Sequence, residues 1–188
     1  MDISGKNILV SASGSCAAAN SIPVACELMT EENCVVKILL TKNAERFFFK
    51  DWNGCEVIRD DGSENFGEDT EYGPEKLYEW ADALIIAPIG ANTLAKIAIG
   101  MHDNLLTKVV QQFINGKPLI LAPAMNPMMF SNPFTAEHIN KIKTVYTNSY
   151  FVDTTTGIYG SGETGMGGLA DSWDIVTACK SMMLSSKS

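Results

Sequence analysis

Two asparagines occupy matching places in the chain. LIIAP (Leu84–Pro88) and LILAP (Leu119–Pro123) are apolar runs that stop at Ala-Pro. Each releases a turn bearing an amide, Asn92 in GANTLAKIA and Asn126 in AMNPMM. A neutral amide offers two N–H donors and one acceptor without adding charge. Flanked by Met125, Met128 and Met129, Asn126 suits a carboxylate or amide beside a flat aromatic ligand. An Asx turn among core methionines is the competing reading of the same residues. The segment SASGSCAAAN holds a third candidate. Ser11, Ser13 and Ser15 bring hydroxyls, and Gly14 lets the backbone approach a ligand. The helix that follows adds N–H groups and a positive dipole, which together make an anion cradle suited to phosphate. The segment lacks both the G-x-G-x-x-G and the P-loop signatures, and a Ser-rich N-cap accounts for it equally well.

These residues need rigid elements behind them. A Leu/Ile run ending in proline reads as a buried parallel strand at the carboxyl edge of its sheet, since proline cannot donate to a ladder. Ligands of open α/β sheets bind just outside such edges. Strands are expected at Asn7–Ala12, Val35–Thr41, Ala83–Ala87, Leu119–Ala122 and Tyr150–Val152. Helices are expected up to about Met29 and over Pro74–Trp80, Asn92–Ile99, Asn104–Ile114, Pro133–Lys143 and Asp171–Leu184, with a short helical turn at Asn43–Phe49. The acidic stretch Arg59–Glu75 and the Gly/Thr-rich stretch Thr154–Gly168 read as loops. Repeated βα units predict an α/β fold, a doubly wound parallel sheet covered on both faces.

At 188 residues the chain is most simply one domain, and 46% hydrophobic content is that of a globular core. A net charge of −8 argues against nucleic acid and anionic membranes as partners; solubility is its plain explanation. No apolar run reaches the roughly 20 residues of a spanning helix. The start, MDISGKNILV, lacks the pattern of a signal peptide, so a cytoplasmic protein is expected. Five scattered cysteines without metal-like spacing read as reduced, mostly buried thiols.

Four segments in order, SGS after the first strand, APIGANTLAKIAIGMHDNLLT, LILAPAMNPMMFSNP and GIYGSGETGMGGLAD, resemble the homo-oligomeric flavin-containing cysteine decarboxylases. That family includes phosphopantothenoylcysteine decarboxylase of coenzyme A synthesis and the lantibiotic peptidyl-cysteine decarboxylases. The likeness runs from about Lys6 to Asp171. It implies a three-layer Rossmann-like (flavodoxin-like) protomer, assembled as a homo-trimer or dodecamer, with FMN at the protomer interface. By position, Ser13, Gly14 and Ser15 meet the FMN phosphate, with Thr41 and Phe47, while Pro88, Ala91, Asn92 and Thr93 line the flavin. Asn126 is the implied catalytic residue and holds the carboxylate of a small-molecule or peptide cysteine. Met125, Ser161 and Gly162 complete the substrate side, and Gly157–Gly168, within a clasp spanning 154–170, closes over it. The chemistry is sound, because a cysteine carboxylate has no electron sink of its own. Removal of a hydride equivalent from its C–S unit by FMN leaves a thioaldehyde that accepts electrons as carbon dioxide departs.

The chain departs from the family pattern in two places. Where relatives carry a histidine before W-A-D, this chain reads PEKLYEWAD, with Pro74 at that position. The clasp cysteine is Ser161, and the basic residue common after the clasp glycines is Gly168. His102 and His138 are the histidines that remain. The first change implies a base supplied by a partner chain, and the second implies a reaction that stops at the ene-thiol. The alternative is a flavin-binding protein without decarboxylase activity, such as a regulatory subunit of a mixed complex.

Overall fold

The apolar runs pair into a six-stranded parallel sheet in the computed structural model, which describes residues 2–48, 52, 54–60, 72–158 and 164–185. Its strands are β1 (Asn7–Ala12), β2 (Val35–Leu40), β3 (Glu56–Arg59), β4 (Ala83–Ile89), β5 (Leu119–Pro123) and β6 (Ser149–Phe151), in the order 3-2-1-4-5-6. Successive side chains point to opposite faces. Ile8, Val10, Ile85 and Ile120 pack against α1 (Ser21–Thr30) and α7 (Ser172–Ser185). Leu9, Leu84, Ile86 and Leu121 pack against α2 (Pro74–Trp80), α3 (Ala91–Ile99), α4 (Leu105–Gln112) and α6 (Pro133–Val145). The result is a three-layer, doubly wound α/β fold. All of β4 and β5 is buried, which is why those strands read as unbroken apolar runs without alternation.

The structure differs from the sequence expectation at four points. Arg59 does not begin a loop but ends the edge strand β3, which among the described residues pairs with β2 alone and carries a Lys37–Glu56 ion pair at 3.0 Å. Four half-polar residues are too short a pattern to announce a strand. Second, β4 does not stop at proline. It continues through a cis Ala87–Pro88 peptide to Ile89, and its register with β5 shifts between Ile86 and Ile89, around the residue that has no N–H to donate. Third, Thr154–Gly168 is no simple loop: β7 (Thr155–Ile158) and β8 (Thr164–Gly168) form an antiparallel hairpin. A Cβ on Gly168 would lie 2.9 Å from Thr155 Oγ1 and 3.0 Å from its carbonyl oxygen. Glycine here records close strand contact rather than irregular chain. Fourth, Pro127–Phe130 forms a short helix, α5. The helical turn expected at Asn43–Phe49 is a 3₁₀ turn over Glu45–Phe47, and a second one, Cys16–Asn20, precedes α1. Residues 61–71 of the acidic stretch lie outside the described residues.

Asp82 joins the starts of β1 and β4, accepting from Lys6 Nζ and from the Asn7 N–H, each at 2.9 Å. Burial alone would raise the Asp82 pKa, but these two donors and the Lys117 charge outweigh it and hold the carboxyl below its ordinary value. Lys117 also closes the C-terminus of α2, donating to the Tyr78 carbonyl at 2.6 Å and the Ala81 carbonyl at 2.8 Å. Among the described residues, no helix is long and apolar enough to cross a membrane.

Candidate functional site

The strand order reverses between β1 and β4, so the connections leaving their carboxyl ends diverge and open a crevice. A cavity of about 650 Å³ lies there, within the range of about 300–1,000 Å³ typical of small-molecule and cofactor pockets. One wall is the turn after β1, with Gly14, Ser15 and Cys16. Ser15 caps the following 3₁₀ turn by accepting the Ala17 N–H at 3.2 Å. Thr41 and Asn43, just past β2, stand beside it. The two turns touch closely enough that a Cβ on Gly14 would lie 2.6 Å from the Cβ of Asn43. Gly14 is required by that approach.

A second wall is the start of α3, with Ala91, Asn92 and Thr93. Their N–H groups belong to the first turn and have no intrahelical acceptor, and the N-cap Gly90 supplies no side chain to receive them. An anion would complete this end and meet the positive dipole. Charge on the lining agrees. The chain carries −8 overall, yet among the described residues no acidic side chain lines the cavity. Lys96, one turn along α3 from Asn92, is a cation at its wall, held by Asp103 Oδ2 at 2.6 Å.

The third wall comes from β5. Ala124 N–H donates to Ile89 O at 3.0 Å, and Met125 N–H donates to Gly167 O of the hairpin at 2.9 Å. This chain of bonds places Asn126, Met129, Gly157 and Gly167 together on the cavity. Asn126 is the N-cap of α5: its Oδ1 accepts the Met129 N–H at 2.8 Å. With Oδ1 committed, the free end of the amide is Nδ2, which has no partner among the described residues. The Asx turn and the ligand pocket thus coexist, one using each end of the same side chain.

Of the residues anticipated from sequence, Gly14, Ser15, Thr41, Ala91, Asn92, Thr93, Met125 and Asn126 converge on this cavity. Three do not. Ser13 is fully buried behind the wall, where its hydroxyl donates to the Pro88 carbonyl at 3.1 Å and accepts the Gly90 N–H at 2.8 Å. Pro88 is buried in β4 and is not among the lining residues; its carbonyl holds Ser13. Phe47 is half exposed on its 3₁₀ turn and is not among the lining residues. Ser161 and Gly162 lie outside the described residues. Neither of the two histidines lines the cavity: His102 sits between α3 and α4, and His138 on α6. Pro74 is buried as the first residue of α2. Sequence reasoning missed Cys16, Asn43, Lys96 and Asn104. Asn43 left a usable sign, lying just past a strand end, where open α/β sheets bind their ligands.

An open doubly wound sheet with a crevice at its switch point, lined among the described residues by no acidic side chain, belongs to the cofactor-binding class of α/β proteins. More narrowly, the chain belongs to the Flavoprotein family, which matches residues 1–184. It is 34% identical over 192 residues to phosphopantothenoylcysteine decarboxylase of Oryza sativa subsp. japonica, covering 98% of this chain and 86% of that one. It is also 38% identical over 175 residues to a probable thymidylate synthase of Schizosaccharomyces pombe, covering 90% of this chain but only 28% of that much longer protein. Among solved structures, a PPC decarboxylase mutant complexed with pantothenoylaminoethenethiol matches with a TM-score of 0.82 at 32% identity, over 98% of this chain and 100% of the other. The FMN binding protein AtHal3 matches with a TM-score of 0.79 at 32% identity, over 96% of this chain and 97% of the other.

Proposed function

We propose that the chain binds FMN in the β1/β4 crevice and decarboxylates a substrate that presents a cysteine carboxylate. The observation that carries this reading is the half-committed amide of Asn126 on the wall of that cavity. Its Nδ2 hydrogens are donors for a carboxylate, with Met125 and Met129 beside them on the lining. The cofactor fits the residues present. The first-turn N–H groups of α3, the Gly14–Ser15 backbone and a lining free of acidic side chains among the described residues suit a phosphate, and the volume suits a flat ring system. Bound FMN supplies the oxidation that gives the departing carboxylate's electron pair a sink.

This chain's residues bind and orient. Asn126 holds the carboxylate, Asn92 and Thr93 border the flavin, and the β7–β8 hairpin, seated on Met125, covers the site as part of a clasp at 154–170. With Pro74 at the position of the family's histidine, we place the proton acceptor on a neighbouring chain of a trimeric or dodecameric assembly. The protein is read as a single unit over 1–188 working in the cytoplasm, where its five free thiols stay reduced.

A second reading, a flavin-binding subunit without decarboxylase activity of its own, is favoured by one observation: neither histidine reaches the cavity. Spectra and turnover separate the two. The purified protein is expected to show bound flavin and to release carbon dioxide from phosphopantothenoylcysteine or from a peptide ending in cysteine. Flavin-loaded protein inert to both, alone and mixed with a histidine-bearing relative, establishes the second reading. Protein that takes up no FMN rules out both.

A further inference from the structure

One side chain on the lining of the cofactor cavity carries charge among the described residues, and it is Lys96. It lies four residues after Asn92 on the same face of α3. Its ammonium is fixed: Nζ meets Asp103 Oδ2 at 2.6 Å, and the lysine side chain is 22% exposed. Asp103 itself is not on the lining. Its second oxygen, Oδ1, accepts Asn104 Nδ2 at 3.2 Å, and Asn104 starts α4 through a capping box with Thr107. That helix start is tied in turn to the edge of the sheet. The Leu105 N–H donates at 2.9 Å to Oδ2 of Asp60, a residue 1% exposed just after β3. A buried carboxylate, a helix cap and an ion pair together hold one cation at the cavity wall.

This anchoring does not suit a lysine that reaches for phosphate. A phosphate is already served at the other end of α3, by the first-turn N–H groups and the Gly14–Ser15 backbone. Gly90, the N-cap of α3, adjoins that backbone, since a Cβ on it would lie 3.5 Å from the Gly14 carbonyl oxygen. Lys96 is six residues further on, about 9 Å of helix rise, and its ammonium is held by the α3–α4 junction. A second negative charge in FMN chemistry arises on reduction. Uptake of a hydride equivalent, two electrons and one proton, leaves the flavin with one negative charge more than the oxidised form carries. A cation fixed in advance where that charge develops favours the reduced form and raises the reduction potential.

We infer that Lys96 is the cation that stabilises reduced FMN in this protein, and that Asp103 positions it and tempers its field. The inference rests on the FMN-binding part of the reading above and needs no turnover to be tested.

The test measures the midpoint potential of purified, FMN-loaded protein at pH 7.5, by anaerobic reduction against reference dyes, together with affinity for oxidised FMN. Lys96→Gln is expected to lower the potential by at least about 30 mV, a tenfold change in the two-electron equilibrium. Asp103→Asn keeps an oxygen for the ammonium and removes the opposing charge, so it is expected to raise the potential. A merely structural role for the pair would move both variants the same way. An unchanged potential in Lys96→Gln overturns the inference, as do shifts of one sign in the two variants. So does weaker binding of oxidised FMN at a fixed potential, which makes Lys96 a phosphate anchor. If Lys96→Gln holds no FMN, Asp103→Asn decides alone: an upward shift supports the inference and any other result overturns it. Native protein that takes up no FMN overturns the FMN reading and this inference with it. FMN-loaded protein that is inert as a decarboxylase refutes that activity alone, and the order of the potentials still decides the role of Lys96.

Discussion

Asn126 permits a clean perturbation because its two polar atoms have separate tasks. Oδ1 caps α5 through the Met129 N–H at 2.8 Å, and Nδ2 is left for the ligand. Asn126→Asp keeps the first and removes the second. Asp and Asn are equivalent N-caps, so stability should hold to within about 0.5 kcal/mol, or roughly 1–2 °C in Tm for a chain of this size. The substrate carboxylate, in contrast, loses a charge-assisted hydrogen bond of about 1.5–3 kcal/mol. It also meets a second negative charge. At about 4 Å that repulsion is about 1 kcal/mol in water and about 4 kcal/mol at an effective dielectric near 20. Asn126 is exposed, so the lower figure is the safer one. The sum, about 2.5–4 kcal/mol, corresponds to substrate binding weaker by roughly sixtyfold to several hundredfold. FMN affinity, read by quenching of flavin fluorescence, should change little. Asn126→Ala serves as control: it also loses the cap, at about 1 kcal/mol, so its Tm falls where that of the Asp variant does not. Unchanged substrate affinity in Asn126→Asp refutes the assigned role. So does an equal loss of FMN and substrate binding, which would mean that the amide merely shapes the cavity.

Ser13→Ala leaves the Gly90 N–H without its acceptor at the entrance to α3; thermal denaturation should show a loss of about 1–3 kcal/mol, and FMN titration a weaker complex. Cys16 is exposed on the cavity, whereas burial pushes the Cys34 and Cys55 thiols up to about 11 and raises Cys179 as well. Alkylation at pH 8 followed by mass mapping should therefore modify Cys16 before those three, and bound FMN should slow it. Labelling of Cys16 that ignores saturating FMN places the flavin elsewhere. The lowered pKa of Asp82 contributes stability that is present above the unfolded-state value of about 3.9 and disappears as pH falls through the folded-state value. The Tm advantage of the native chain over Asp82→Asn should accordingly be full at neutral pH and shrink in acid, and an advantage that persists there removes Asp82 from the account.

Much of this architecture is legible locally. Buried parallel strands must be apolar on both faces, so LIIAP and LILAP announce themselves, and both end beside the crevice. Asn126 is recognisable because an amide among methionines after a strand is unusual in either a loop or a core. Other features leave weaker traces. The edge strand β3 is short and half polar, because an edge needs neither two apolar faces nor two partners. The hairpin is written in glycines and threonines, a composition that a loop shares. The contact between α5 and β8 joins segments nearly forty residues apart, and neither is distinctive alone.

The serines after β1 show where the boundary lies. The sequence by itself determined that this turn would be small, hydroxyl-rich and followed by helix, since those are matters of residue type and local periodicity. Which hydroxyl faces the ligand was decided by tertiary structure. Ser15 reaches the cavity, while Ser13 turns inward to Gly90, 77 residues away, and serves the site by holding the start of α3. The lining, which among the described residues holds no acidic side chain in a strongly acidic chain, has the same origin. Local chemistry sets which groups are available, and strand order sets which of them meet, because the donors and acceptors that pair across β1 and β4 are brought together only by the crossover.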